Sequence, residues 1–110
     1  MSEIINSTDA DFEELIEKNE NVIIKYYADW CGSCKLMAPK YKRLSEDDAN
    51  EGITFLEVNA EQNDLARQMS GVNNLPFFAT YKNGELVDAD ATSKIETAEE
   101  MIKKLKKQKK

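Results

Sequence analysis

The stretch that decides the fold runs from Val22 to Lys35 and reads VIIKYYADWCGSCK. Its first half, Val22 to Tyr27, is a β-rich run too continuous for a half-exposed strand, which predicts a central strand covered on both faces. Its second half holds both cysteines of the chain, Cys31 and Cys34. The predicted strand therefore leads directly into a Cys-x-x-Cys pair, whose chemistry has to be decided from the rest of the sequence.

The whole chain has the size and composition of one domain. Its 110 residues are 41% hydrophobic and 33% charged, enough for one core and too few for two, so we expect a single domain over residues 1–110. Six of the fifteen basic residues lie in a lysine-rich helix end or tail at about residues 103–110, so the first 102 residues carry nine basic and twenty-one acidic side chains. Such an acidic body repels phosphate backbones and argues against nucleic-acid partners.

The N-terminus has acidic residues where a secretory signal would have basic ones. No apolar run approaches the roughly 18 residues needed to span a membrane. We therefore expect a cytoplasmic protein without a membrane span. In a reducing compartment a lone cysteine pair is more often catalytic or metal-binding than a permanent structural crosslink.

Periodicity and turn signals predict alternating helices and strands. After a short strand at Glu3 to Asn6 we expect a helix that opens near Thr8 to Asp11 and ends at about Lys18. The Asn83-Gly84 pair between two extended runs predicts a hairpin. The other expected elements are a helix from Cys34 that contains Pro39, a strand at Ile53 to Val58, a helix at Gln62 to Met69, strands at Phe77 to Tyr81 and Glu85 to Ala89, and a helix at Ala98 to Lys107 supported by Glu99–Lys103 and Glu100–Lys104 pairs. This order predicts an α/β protein with a central mixed sheet of four to five strands, flanked by helices on both faces.

The cysteine pair has few chemical uses in this chain. A structural zinc site generally takes four Cys or His ligands, whereas the chain has two cysteines and no histidine, so we expect no metal site. The absence of histidine also removes a Cys-His hydrolase. A purely structural disulfide across two residues would remove little chain entropy and stabilise weakly. Redox chemistry is the remaining interpretation.

The position of the pair favours redox chemistry. At the start of a helix, Cys31 faces unpaired backbone N–H groups and the positive end of the helix dipole, which stabilise a thiolate and lower its pKa. The helical repeat brings Cys34 to the same face, and Gly32 permits a tight turn between the two. We expect an exposed Cys31 to attack a substrate disulfide and a more buried Cys34 to resolve the mixed disulfide.

An ordered set of motifs spans almost the whole chain: YADWCGSCK at residues 27–35, Pro39, VNAE at 58–61, GVNNLP at 71–76 and YKNGE at 81–85. In this set the sequence resembles the thioredoxin family. The resemblance implies the thioredoxin fold and reduction of protein disulfides by a Cys31-Gly32-Ser33-Cys34 centre. It also implies a cis Leu75–Pro76 peptide bond that faces the cysteines, although a trans proline at the start of a strand is the alternative. The implied substrate-binding residues are Trp30, Asn74, Leu75, Pro76, Ala91 and Thr92, with plain core packing as the alternative for Trp30.

The sequence departs from the family pattern in three respects. Ser33 stands where the family usually has proline, and it restores a backbone N–H. This change predicts that the Cys31–Cys34 pair has a more oxidising reduction potential than the roughly −270 mV of thioredoxin. Lys25 and Glu57 stand where the family usually has aspartate and lysine, so the two charges have exchanged places. Either both side chains extend to water, or they form a reversed buried pair whose cation favours the Cys34 thiolate.

Asp90 to Ser93 stand in a region where the family normally has a glycine that keeps the partner-binding groove flat. The extra side chains put compatibility with a conventional thioredoxin reductase in doubt.

The expected function is therefore reduction of protein disulfides through a dithiol/disulfide cycle, by a monomer that a thioredoxin reductase recycles. We expect no bound cofactor besides the cysteine pair: NADPH acts only indirectly through the reductase, since the chain has no Gly-rich dinucleotide motif. Two alternatives stay open. One is a specialised disulfide oxidase or isomerase, and the other is a thioredoxin-fold binding module that works irrespective of redox state.

Overall fold

The computed structural model describes residues 3–108. Five strands form one mixed sheet in the order β1-β3-β2-β4-β5, where β1, β3 and β2 are parallel and β4 and β5 are antiparallel to their neighbours. The strands are β1 (Ile4–Asn6), β2 (Asn21–Tyr27), β3 (Ile53–Asn59), β4 (Phe77–Lys82) and β5 (Glu85–Ala91). The helices are α1 (Phe12–Lys18), α2 (Gly32–Glu46), α3 (Asp64–Ser70) and α4 (Ile95–Lys107), with a short 3-10 turn at Asp48–Asn50.

Alternate residues of the central strand β2 face two separate cores. Ile24 and Tyr26 pack with residues of α1 and α3, whereas Ile23 packs with residues of α2 and α4. Because side chains alternate across a strand, one continuous apolar run can supply both layers. The expected mixed sheet with helices on both faces is confirmed, and β2 is its buried centre.

The hairpin between β4 and β5 follows the Asn83-Gly84 signal. Asn83 has φ 53° and Gly84 has φ 84°, so both turn residues adopt the left-handed conformation that asparagine and glycine tolerate best. The register of this hairpin pairs Phe77 with Ala91. It thus brings the residues that follow β5 to the same edge of the sheet as the residues that precede β4.

The structure corrects several expected details near the C-terminus. Helix α4 begins at Ile95 rather than Ala98, α3 runs Asp64–Ser70 rather than Gln62–Met69, and β5 continues to Ala91. The expected helix pairs are wrong: Lys103 Nζ lies 3.4 Å from Glu100, and Lys104 Nζ lies 3.6 Å from Asp88 on β5. Lys104 points to the neighbouring strand because α4 packs across the sheet. Of the lysine-rich end, Lys109 and Lys110 lie outside the described residues.

Candidate active site

The two cysteines lie where β2 ends and α2 begins. Cys31 is the N-cap residue of α2, and its Sγ accepts a hydrogen bond from the Cys34 backbone N–H at 3.1 Å. The Cα atoms of the two residues are 5.3 Å apart, and their sulfur atoms form a disulfide. Cys31 Sγ therefore occupies the position where a helix N-terminus stabilises negative charge.

Cys31 is more covered than the sequence led us to expect, whereas the burial of Cys34 agrees with the expectation. Cys31 is 5% exposed and Cys34 is 2% exposed, so the expected exposed Cys31 is corrected to a nearly buried one. Tyr27, Ala28 and Leu75 pack against the pair. Leu75 arrives from a distant part of the chain, which is why local sequence gives no sign of this cover. Trp30 is 68% exposed, which excludes the alternative of plain core packing for this residue.

A groove lies beside the disulfide. The Leu75–Pro76 peptide bond is cis, and the Thr92 N–H donates to the Pro76 carbonyl at 3.0 Å, which ties the end of β5 to this loop. The groove has a volume of about 370 Å³ and is lined by Ser33 and the segments 74–76 and 91–94. Five of the six residues expected to bind substrate, Asn74, Leu75, Pro76, Ala91 and Thr92, line it together with Ser33; Trp30 does not.

Lys25 and Glu57 are directly opposite each other on β2 and β3, with 3.8 Å between Lys25 Nζ and Glu57 Oε2. The Lys25 side chain is 4% exposed and that of Glu57 is 33% exposed. Lys25 therefore does not extend to water, and the pair is buried at the lysine end only. Burial lowers the pKa of Lys25, and the Glu57 carboxylate opposes this effect in part.

Two aromatic rings complete the surroundings of Lys25. The ammonium lies 5.9 Å from the ring centre of Tyr27 and 5.5 Å from that of Tyr41, within range of a cation–π interaction. Lys25, Tyr27 and Glu57 line a cavity of about 240 Å³ together with Cys34. Neither tyrosine was predicted as a site residue from the sequence. Tyr27 could have been found from its two-residue spacing to Lys25, which puts both side chains on one face of β2.

The described residues form neither a metal-binding cluster nor a membrane-spanning helix. Within residues 3–108, no cluster of three or more His, Cys, Asp or Glu side chains is arranged to hold a metal ion. None of the helices in this part of the chain is long and apolar enough to cross a membrane.

Comparison with known proteins agrees with the fold and the cysteine pair. The thioredoxin family model matches residues 3–107. Thioredoxin 1 of Plasmodium falciparum is 33% identical over 84 residues, which are 76% of this chain and 79% of the relative. Thioredoxin-1 of Caenorhabditis elegans is 35% identical over 82 residues, 73% of this chain and 70% of the relative. The crystal structure of Schistosoma mansoni thioredoxin has a TM-score of 0.83 at 34% identity and covers 93% of this chain and 94% of its own. Since the family model covers nearly all of the described residues and the chain itself has a Cys31–Cys34 disulfide, the chain belongs to the thioredoxin family and is a protein-disulfide reductase that works by thiol-disulfide exchange.

Proposed function

We propose that Cys31 is the nucleophile of this reductase and Cys34 the resolving cysteine. The observation that supports this order is the hydrogen bond from the Cys34 N–H to Cys31 Sγ at the start of α2. In the reduced protein the same N–H group and the helix dipole favour a thiolate at Cys31 over one at Cys34. Gly32 and Ser33, between the cysteines, form the first turn that carries these donors.

The cycle moves two electrons from the cysteine pair to the substrate. The Cys31 thiolate attacks one sulfur of a substrate disulfide; a bond forms between them, and the other substrate sulfur leaves as a thiolate that takes up a proton. Cys34 then loses its proton and attacks Cys31 Sγ. The Cys31–Cys34 disulfide forms, and the second substrate sulfur leaves and is protonated. The disulfide of the present structure is thus the oxidised end of the cycle.

The groove beside the disulfide is the proposed substrate site. Asn74, Leu75, Pro76, Ala91 and Thr92 line it, and Trp30 adds an exposed aromatic surface next to Cys31 in the chain. An extended segment of a protein substrate would lie along Leu75, whose position against the cysteine pair brings the substrate disulfide to Cys31. The substrates are therefore disulfide-containing proteins.

Lys25 and Glu57 are proposed to assist the resolving step. Both line the cavity that Cys34 also lines, and a cation behind Cys34 favours its thiolate. In a Cys31→Ser background, Lys25→Met should shift the pH dependence of Cys34 alkylation to higher pH, because the cation is removed. An unchanged alkylation profile would show that the pair has only a structural role.

The working context is proposed from the sequence. The protein acts as a cytoplasmic monomer and a single domain over residues 1–110, with residues 103–110 as a lysine-rich end, in cellular electron transport. A thioredoxin reductase that draws on NADPH regenerates the dithiol. Sedimentation equilibrium tests the monomer, and NADPH oxidation coupled to a conventional reductase tests the partner; a failure of coupling would point to the Ala91–Thr92 region as the cause.

Reduction of insulin disulfides tests the catalytic assignment. The wild type should turn over, and Cys31→Ser should abolish turnover. Cys34→Ser should instead accumulate a mixed disulfide with the substrate, detected as a covalent adduct that dithiothreitol releases. Ser45→Ala, which removes a hydroxyl on α2 away from the cysteines, is the matched control and should keep the wild-type rate. An adduct formed through Cys34 in the Cys31→Ser variant would reverse the proposed roles.

A further inference from the structure

The groove beside the disulfide carries a single charge. Ser33, Asn74 and Thr92 contribute polar uncharged side chains to its lining, and Lys94 is the one charged residue of the lining within the described chain. Its side chain is exposed, and it forms no ion pair with the residues that the structure describes. The ammonium of Lys94 is therefore free to meet a group that enters the groove.

The positive charge of the groove lining contrasts with the acidic composition of the protein. The first 102 residues carry twenty-one acidic and nine basic side chains, yet no acidic residue lines the groove. On the other side of the cysteines, the cavity that Cys34 lines has balanced charges, with Lys25 and Lys35 against Asp29 and Glu57. The lining of the groove therefore carries a positive charge beside the disulfide, whereas the protein as a whole is acidic.

Lys94 also conflicts with the helix that it begins. It is the N-cap residue of α4, where Ser, Thr, Asp or Asn are preferred and where the helix dipole disfavours a cation. Its own side chain makes no capping bond; Thr92 Oγ1 accepts the Lys94 N–H at 3.0 Å and donates to Thr97 Oγ1 at 3.2 Å. Residues that break a local rule without a structural gain are candidates for function.

We propose that Lys94 is a specificity-determining residue: it makes the groove favour substrate segments with an acidic side chain close to the reacting cysteine. This inference rests on the proposed function of the groove as the substrate site. The Thr92 bonds hold the Lys94 backbone at the rim, while the side chain supplies the cation. The partner is a protein with an acidic segment next to its disulfide.

Peptide reduction measures the selectivity. Two synthetic peptides carry the same internal disulfide, one flanked by Glu and one flanked by Lys, and the readout is the ratio of their kcat/KM values. We expect the wild type to favour the Glu peptide about three- to tenfold at low salt, because one solvent-exposed ion pair is gained and one like-charge contact is avoided. Lys94→Gln should bring the ratio near one, and Lys94→Glu should favour the Lys peptide. The ratio should fall as salt rises.

Lys18→Glu is the matched control for net charge. Lys18 is exposed at the end of α1, near the start of β2 and so at the sheet edge opposite the cysteines. It should keep the wild-type ratio. The proposal that Lys94 selects substrates is wrong if Lys18→Glu changes the ratio of kcat/KM values as much as Lys94→Glu does. It is also wrong if Lys94→Glu leaves this ratio unchanged. Failure of the wild type to reduce either peptide, with insulin still reduced, would instead count against the groove as the substrate site.

Discussion

Glu57→Gln should destabilise the oxidised protein far more than Lys25→Met, although the two side chains form one ion pair. Lys25 is nearly buried and Glu57 is one-third exposed, so the first substitution leaves a buried ammonium without its partner. Removal of one member of a buried pair costs about 3–5 kcal/mol when the remaining charge stays buried. Lys25→Met leaves a carboxylate that still reaches water, and we expect its free energy of unfolding to stay within about 1 kcal/mol of the wild type.

The cost of Glu57→Gln has an upper limit set by proton release. A buried lysine with an ordinary pKa of about 10.4 can become neutral at pH 7 for about 1.4 kcal/mol per pH unit, or about 5 kcal/mol in total. We therefore expect a loss of about 3 kcal/mol at pH 7. The free energy of unfolding of the double variant should be close to that of Lys25→Met, because without the ammonium no unpaired charge is left in the core.

The sign of the pH dependence follows from the lowered pKa of Lys25. When the folded-state pKa of a lysine is below its unfolded value, the unfolded state binds more protons, so stability rises with pH up to the unfolded value. Glu57→Gln lowers this pKa further, because the opposing carboxylate is lost, so its deficit in the free energy of unfolding relative to the wild type should be smaller at pH 9 than at pH 7. Burial raises the pKa of the neighbouring Tyr27 and Tyr41 hydroxyls, so both rings stay neutral over this range.

Urea denaturation of the oxidised variants at pH 7 and pH 9 measures these free energies. Glu100→Gln is the control: its pair with Lys103 has side chains 73% and 70% exposed, and its loss should stay within about 0.5 kcal/mol at both pH values. A larger loss for Lys25→Met than for Glu57→Gln would refute the reasoning. So would a Glu57→Gln deficit that is the same at pH 7 and pH 9.

Three further predictions concern other parts of the molecule. Thr80 Oγ1 is buried and has no hydrogen-bond partner among the described residues. Thr80→Val should therefore raise the free energy of unfolding, measured in urea, by about 1 kcal/mol, and a loss of stability would contradict this. The Leu75 N–H in the groove beside the disulfide donates to Asn74 Oδ1 at 2.9 Å. If substrate lies along Leu75 as proposed, Asn74→Ala frees this donor and should lower the KM for a disulfide peptide about two- to threefold; a higher KM would assign Asn74 a direct contact instead. Ser33→Pro should shift the reduction potential, measured by equilibration with glutathione, towards about −270 mV, and a shift to a more oxidising value would show that the Ser33 N–H does not stabilise the Cys31 thiolate.

The parts of the fold that the sequence predicted are those with a local physical signal. The continuous run from Val22 to Tyr27 predicted a central strand, and Asn83-Gly84 predicted a tight hairpin turn; both are confirmed. The opposition of Lys25 and Glu57 followed from two strands in one register. The strand and hairpin signals lie within the elements that they predict. The register of β2 and β3, in contrast, was supplied by the family resemblance.

One of the missed features depends on a local turn, and the other two depend on contacts between distant segments. Helix α4 begins early because Thr92 accepts the Lys94 N–H, whereas Lys94 and Ile95 themselves carry no start signal for a helix. Lys104 pairs with Asp88 because α4 lies against β5, so helix spacing alone gave the wrong partner. The near burial of Cys31 results from Leu75, which reaches the cysteines only after β4 has paired with β2.

The same pairing explains why the site has two chemically different sides. Tyr26 of β2 lies opposite Phe77 of β4, so the residues that follow β2 and those that precede β4 meet at one edge of the sheet, and the pairing of Phe77 with Ala91 adds the start of α4. Lys94 comes from this side, whereas Glu57 comes from β3 on the other side of β2. The residue proposed to select substrates and the pair proposed to assist the resolving step therefore lie on different elements of the fold. A substitution in one can change its property while the backbone that holds Cys31 stays in place.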